Sequence, residues 1–156
     1  MPLHSQPRTI QVYTIGFTKK SAEVFFGMLG RAGVRRVVDV RLQNVSQLTG
    51  FSKRDDLAYF LRTICGVDYV HRTDLAPSKE LFDAIKKQGL DWASYERRFL
   101  ALLRARQIEQ TVPPDLIDGA CLLCSEEAPE QCHRRLVAEY LRSHWTPDVV
   151  EITHLV

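Results

Sequence analysis

The segment most capable of chemistry reads Cys124-Ser125-Glu126-Glu127-Ala128-Pro129-Glu130-Gln131-Cys132-His133-Arg134-Arg135. It leads from an apolar run, through a short acidic loop, into a helical pattern. Pro129 suits a first helical turn, where its missing N–H costs nothing. Cys132, His133 and Arg134 are then expected within the first two turns. An arginine there stands on the wrong side of the helix macrodipole, which favours anions at the N-terminus. A bound anion held by backbone N–H groups, the dipole and Arg134 accounts for it. The same field lowers the pKa of a nearby thiol, because it favours the thiolate. The plainer alternative pairs Arg134 with Glu126, Glu127 or Glu130 on the surface, an interaction worth roughly 0–1 kcal/mol.

Zinc is a second reading of these residues. Cys124, Cys132 and His133, with His71 as a further candidate, offer sulfur and nitrogen ligands. The spacing does not favour it, since neither thiol belongs to a tight Cys-x-x-Cys loop. Cys121 and Cys124 have that spacing, but on a strand they point to opposite faces. No cofactor is therefore predicted. Asp39 and Arg41 stand two apart at the end of a strand and share a face. They form an ion pair, or Arg41 holds an anion that Asp39 orients. Tyr69 and His71 share a face by the same rule, and His71 is either structural or an acid–base group. Trp92, Tyr95 and Phe99 are at helical spacing and read as core rather than a base-stacking platform. Arg97, Arg98, Arg104 and Arg106 read as a solvated face, with phosphate contact as the alternative. Gly16 is not part of a dinucleotide fingerprint, because no Gly-x-Gly-x-x-Gly follows it.

These residues need a scaffold. With 156 residues, 45% hydrophobic and 26% charged, the chain has the composition of one globular domain, residues 1–156 with a core over 9–155. The formal charge of +2 is too small to argue for nucleic acid by itself. No apolar run is long enough for a membrane span, and Met1 to Thr9 does not read as a secretory signal. Four cysteines without a disulfide-scaffold pattern suit a reducing, cytoplasmic compartment.

The elements alternate. A strand over 9–15 stops at Gly16. Ser21 caps a helix that Gly33 ends. A β-branched strand over 36–40 ends near Arg41. Leu57, Phe60, Leu61 and Ile64 mark a helix closed by Gly66, before a short strand over 67–70. Helices are expected over 78–88 and 91–110, the latter broken by Pro113-Pro114. A strand within 116–124, a helix over 134–144 and a strand over 149–152 complete the chain. This order predicts an α/β fold of three layers: a mostly parallel sheet of about five strands with helices on both faces. In a doubly wound sheet the ligand crevice lies outside the carboxyl ends of the strands. The residues just past those ends are Gly16-Phe17-Thr18, Asp39 and Arg41, His71 and Arg72, and Cys124 through Arg134. They are the most chemically capable in the chain.

Taken in order, several segments resemble the family known as domain of unknown function 488. They are Thr14-Ile15-Gly16, Val38-Asp39-Val40-Arg41, Leu122-Leu123-Cys124-x-Glu126 and Pro129-x-x-Cys132-His133-Arg134. The resemblance spans residues 10 to 155. It implies a compact α/β domain and a cytoplasmic bacterial or archaeal setting. It maps the family's motif positions onto Gly16, Asp39, Arg41, Cys124, Glu126, Cys132, His133 and Arg134. Two departures bear on mechanism and ligand: Gly16-Phe17-Thr18 where many members carry Gly-His-Ser, and Leu75-Ala76-Pro77 where Leu-Gly-Gly is frequent.

The first expectation is an enzyme that uses the thiolate of Cys124 or Cys132 on an anionic substrate such as a nucleotide or nucleic-acid component. Glu126 or His133 then serves as acid or base. Arg134 and Arg41 bind the anion, alongside Gly16, Asp39 and His71. The second is a non-enzymatic nucleotide or nucleic-acid binding module at the same edge. The third is a redox sensor in which Cys124 and Cys132 form a reversible disulfide, which needs Cα atoms within about 7 Å.

Overall fold

The structure is a computed structural model that describes residues 6–44, 50–125 and 131–156. Its first element, β1 (Thr9–Gly16), is followed by α1 (Ala22–Ala32) and β2 (Arg36–Asp39). Ser21 caps α1, its hydroxyl accepting from the Val24 N–H at 3.2 Å. Gly33 stops the helix in left-handed backbone, φ 71°. Next come α2 (Arg54–Phe60), a wider turn over Leu61–Cys65 closed by Gly66, and β3 (Asp68–His71).

Helices α3 (Lys79–Lys87) and α4 (Trp92–Arg106) are capped by Ser78 and Asp91. The long helix expected over 91–110 ends at Arg106, because Gln107 turns left-handed at φ 53°. Two single turns follow, α5 (Ile108–Thr111) and α6 (Pro114–Ile117). Pro114 thus opens a turn at the position where its ring is tolerated. The chain closes with β4 (Ala120–Cys124), α7 (His133–His144) and β5 (Val149–Leu155). The last strand runs three residues beyond the expected 152, because its pairing with β1 continues from Thr9↔Val149 to Ile15↔Leu155.

All four strand pairings are parallel, in the order β3-β2-β4-β1-β5. This is the expected α/β class, a five-stranded parallel sheet between helices. It is not the dinucleotide-binding order 3-2-1-4-5, since β4 lies between β1 and β2. From β1 to β3 the chain steps one way across the sheet, and from β3 to β5 it steps back. Right-handed crossovers turn that reversal into a change of face. One layer accordingly packs Phe25, Phe26 and Leu29 of α1 and Leu57 of α2 on Ile15, Val37, Cys121 and Leu123. The other packs Phe99 and Leu103 of α4 and Leu136 and Val137 of α7 on Ile10, Val12, Val38, Leu122 and Cys124. The period-two alternation of β4 sends Cys121 to the α1 layer and Cys124 to the α7 layer. Among the described residues no helix is long and apolar enough to cross a membrane.

Candidate functional site

The connections out of β2 and β4, neighbours in the sheet, leave to opposite faces, so a crevice opens at their carboxyl ends. A cavity of about 220 Å³ lies there. Its polar side is formed by Arg41, Cys124, Ser125, Cys132 and His133, and its apolar side by Pro77, Phe82, Ile85, Trp92 and Tyr95. Ser125 is tied to the end of β1, its carbonyl accepting from the Thr18 N–H at 3.1 Å. Gly16, opposite Cys124 in register, lets the two strand ends finish together.

Cys124 is the last residue of β4 and is buried. Arg134, in the first turn of α7, is fully buried and extends its guanidinium back to the strand end. Its Nη1 donates to Cys124 Sγ at 3.2 Å. Arg134 is therefore buried rather than on the surface, it is not among the residues that line the cavity, and one acceptor that it faces is a sulfur. Glu126, Glu127, Pro129 and Glu130 lie outside the described residues. Helix α7 begins at His133, one residue before the expected 134, so a first helical turn at Pro129 is not what starts it. Cys132 occupies the cap position, with extended backbone at φ −138° and ψ 139°. That placement turns Cys132 back toward Cys124. The two sulfurs are in bonding contact, with the Cα atoms 7.6 Å apart. The Cα separation is wider than the 7 Å or so that the reversible-disulfide expectation asked for.

His133 completes the group. Its Nε2 lies 2.7 Å from the Val40 carbonyl, and since a carbonyl only accepts, Nε2 carries the proton. Cys124, Cys132 and His133 each offer a ligand atom, all within 4.8 Å of one another. His71 is not in this group. Its Nε2 donates to the Arg41 carbonyl at 2.7 Å, which fixes the loop after β2 instead.

Asp39 and Arg41 form a buried, two-pronged ion pair, Nε to Oδ1 at 2.9 Å and Nη2 to Oδ2 at 2.8 Å. The Arg41 backbone N–H donates to the same carboxylate at 3.1 Å. Tyr69 adds its hydroxyl at 2.6 Å and Asn44 its amide at 3.3 Å. Burial alone raises the Asp39 pKa. The hydrogen bonds and charge of Arg41, with the Tyr69 hydroxyl, overcome that and hold it below the usual carboxylate range. Burial, then the Asp39 charge, push the Tyr69 phenol up. Arg41 Nη1 is buried and has no hydrogen-bond partner among the described residues. Phe17 lies under the guanidinium at 5.3 Å from ring centroid to charge.

Some of the site was not read from the sequence. Trp92 and Tyr95 pack in the core as expected, and in addition they stack at 5.0 Å and form the cavity's aromatic wall. Tyr95 stacks in turn on Phe99, which meets the His133 ring at 5.5 Å. Tyr69 and Asn44 converge on Asp39; the Tyr69 contact needs β3 beside β2 and so follows only from strand order, while Asn44 comes from the loop after β2. Of the arginines in α4, Arg106 is not simply solvated: it donates to the Asp74 and Ala76 carbonyls at 2.8 and 2.6 Å and pins the segment leading to Pro77. Arg98 reaches Glu80 at 3.8 Å, and Arg97 and Arg104 are exposed.

No curated protein and no solved structure matches this chain. A family model described as "Domain of unknown function DUF488" matches residues 21–141. That stretch takes in the Asp39–Arg41 pair and the whole Cys124–Arg134 segment. The chain therefore belongs to the DUF488 family.

Proposed function

We propose that the reduced protein is a thiol-dependent enzyme in which Cys124 attacks a small anionic substrate, a nucleotide or nucleic-acid component, at the carboxyl edge of the sheet. The observation that carries this reading is the 3.2 Å hydrogen bond from the buried Arg134 guanidinium to Cys124 Sγ. Arginine stays charged at every relevant pH. Inside the protein, away from bulk water, such a donor stabilises negative charge on sulfur, and the thiolate is the nucleophilic form. A strand end buried on both faces also holds that sulfur still, which favours attack in a fixed geometry.

His133 is the acid–base partner in this reading. With its proton held at Nε2 against Val40, the neutral ring has its basic lone pair at Nδ1. Glu126 keeps its place as an alternative base. The buried Arg41 N–H at the same crevice supports anion binding there, and Asp39 fixes the guanidinium's orientation. At about 220 Å³ the cavity is below the roughly 300–1,000 Å³ of drug-sized pockets, so the substrate is a single small unit.

The test is substrate protection followed by substitution. Among phosphorylated and nucleobase ligands, those that bind are expected to shield Cys124 from alkylation. Cys124→Ser should abolish turnover of such a ligand while leaving the circular dichroism spectrum unchanged. Full turnover in that variant sinks the reading. Ligand binding that survives serine at both Cys124 and Cys132 but is lost in Arg41→Ala identifies a binding module instead. The contact between the two sulfurs favours one further reading, a Cys124–Cys132 couple that responds to oxidants. In that case a mild oxidant changes ligand binding reversibly, and either serine variant is blind to it.

A further inference from the structure

We infer that, once reduced, Cys124, Cys132 and His133 form a three-ligand site for a borderline-soft divalent ion, zinc foremost, with the fourth position open to the cavity. Two thiolates and one imidazole are a recognised donor set for zinc with an open coordination position. The three ligand atoms already lie within 4.8 Å of one another. Tetrahedral zinc, with bonds of about 2.0–2.3 Å, asks for ligand atoms roughly 3.5–3.8 Å apart, so the two sulfurs, bonded in the oxidised form, must separate to that distance once reduction frees them. The Cα separation of 7.6 Å is wider than the roughly 4.4–6.8 Å usual for a disulfide. An ion between the sulfurs replaces one bond with two and suits the wider span.

The surroundings are those of a metal ligand set. His133 gives its Nε2–H to the Val40 carbonyl at 2.7 Å. Outer-shell bonds of that kind fix the tautomer and make the other nitrogen a better ligand. Arg134 donates to Cys124 Sγ and orients it. All three residues line the same cavity, so a fourth ligand, water or substrate, has room. The eight-residue spacing looked poor for zinc in the sequence. The fold repairs it, because β4 ends at Cys124 and α7 is capped by Cys132 at the same crevice.

This goes beyond the thiolate reading and does not depend on it. An external phosphine, with one water molecule, breaks the sulfur–sulfur bond, leaving two protein thiols and becoming a phosphine oxide. Ion binding then releases one proton from each thiol to the buffer. A bound ion occupies the Cys124 sulfur, so metal loading and nucleophilic attack exclude one another.

The experiment is titration of the phosphine-reduced full chain with Co²⁺, followed by Zn²⁺. One equivalent of Co²⁺ is expected to give sulfur-to-cobalt charge-transfer absorption and the intense visible bands of tetrahedral cobalt, both bleached by Zn²⁺. The oxidised protein should show neither. Cys132→Ser and His133→Ala should each weaken binding at least about 100-fold, since even outer-shell partners are worth roughly 10–100-fold. Cys65→Ser should bind as the wild type does. Weak octahedral bands, or bands unchanged in His133→Ala, overturn the inference. If the reduced protein binds no cobalt while Cys124 is alkylated rapidly, this inference fails and the thiolate reading stands. If cobalt binds and metal-free Cys124 is alkylated no faster than Cys65, the outcome is the reverse.

Discussion

Replacing Asp39 with alanine is expected to destabilise the protein by about 3–5 kcal/mol, the loss usual when one member of a buried ion pair is removed. Asp39 is fully buried and holds two donors of Arg41, itself 3% exposed. Without the carboxylate, Arg41 keeps its charge in the interior with nothing opposite it. Urea denaturation at pH 7 measures the effect, and a loss below about 1 kcal/mol would show that the pair is not stabilising. The same group predicts acid lability. Its folded pKa lies below the ordinary 3.8, so its contribution is fully present above that pH. It is lost as the pH falls through the lower, folded value. Facing it are Arg41, Tyr69 and Asn44. Asp39→Asn should therefore lose less stability than the wild type as the pH falls below about 4, the remaining loss coming from Asp74, Asp91 and Glu109, which are also held below their ordinary values.

Arg134→Ala is expected to be comparably severe, about 3–5 kcal/mol, because it empties the volume of a fully buried side chain and strips a donor from Cys124 Sγ. Arg134→Met separates packing from charge. The methionine keeps most of the buried volume, so this variant should lose less stability than Arg134→Ala and remain folded. Its Cys124 should be alkylated at least about tenfold more slowly at pH 7, for want of thiolate. An unchanged alkylation rate in a folded Arg134→Met protein would remove the reason for assigning Arg134 to the chemistry.

Local signals carried much of the architecture. Ser21 and Gly33 bracket α1 as a hydroxyl cap and a left-handed stop, and Gly66 closes the turn before β3 in the same way. The alternation of Cys121 and Cys124 across β4 and the shared face of Asp39 and Arg41 follow from strand geometry alone. Long-range pairing was a different matter. That β4 separates β1 from β2 depends on contacts far apart in the chain, and Tyr69 reaches Asp39 only because β3 pairs with β2. Trp92 and Tyr95 show helical spacing whether their outer edge meets core or cavity, so periodicity could not separate the two. Pro129 suggested an earlier helix start than His133, and one turn of difference moved Cys132 from a helical position to a cap that faces Cys124.

The central claim is that Arg134 makes Cys124 the reactive thiol of the chain. Site-resolved alkylation of the reduced, metal-free protein from pH 4 to 10, scored cysteine by cysteine by mass spectrometry, tests it most directly. Burial pushes the thiols of Cys65 and Cys121 up, so both serve as unreactive references within the same molecule. Cys124 is predicted to react well below the ordinary thiol range near pH 8.5 while those two remain unmodified. If Cys124 instead follows Cys65 along the pH axis, the guanidinium–sulfur contact has no chemical consequence, and a thiolate mechanism at this site is contradicted.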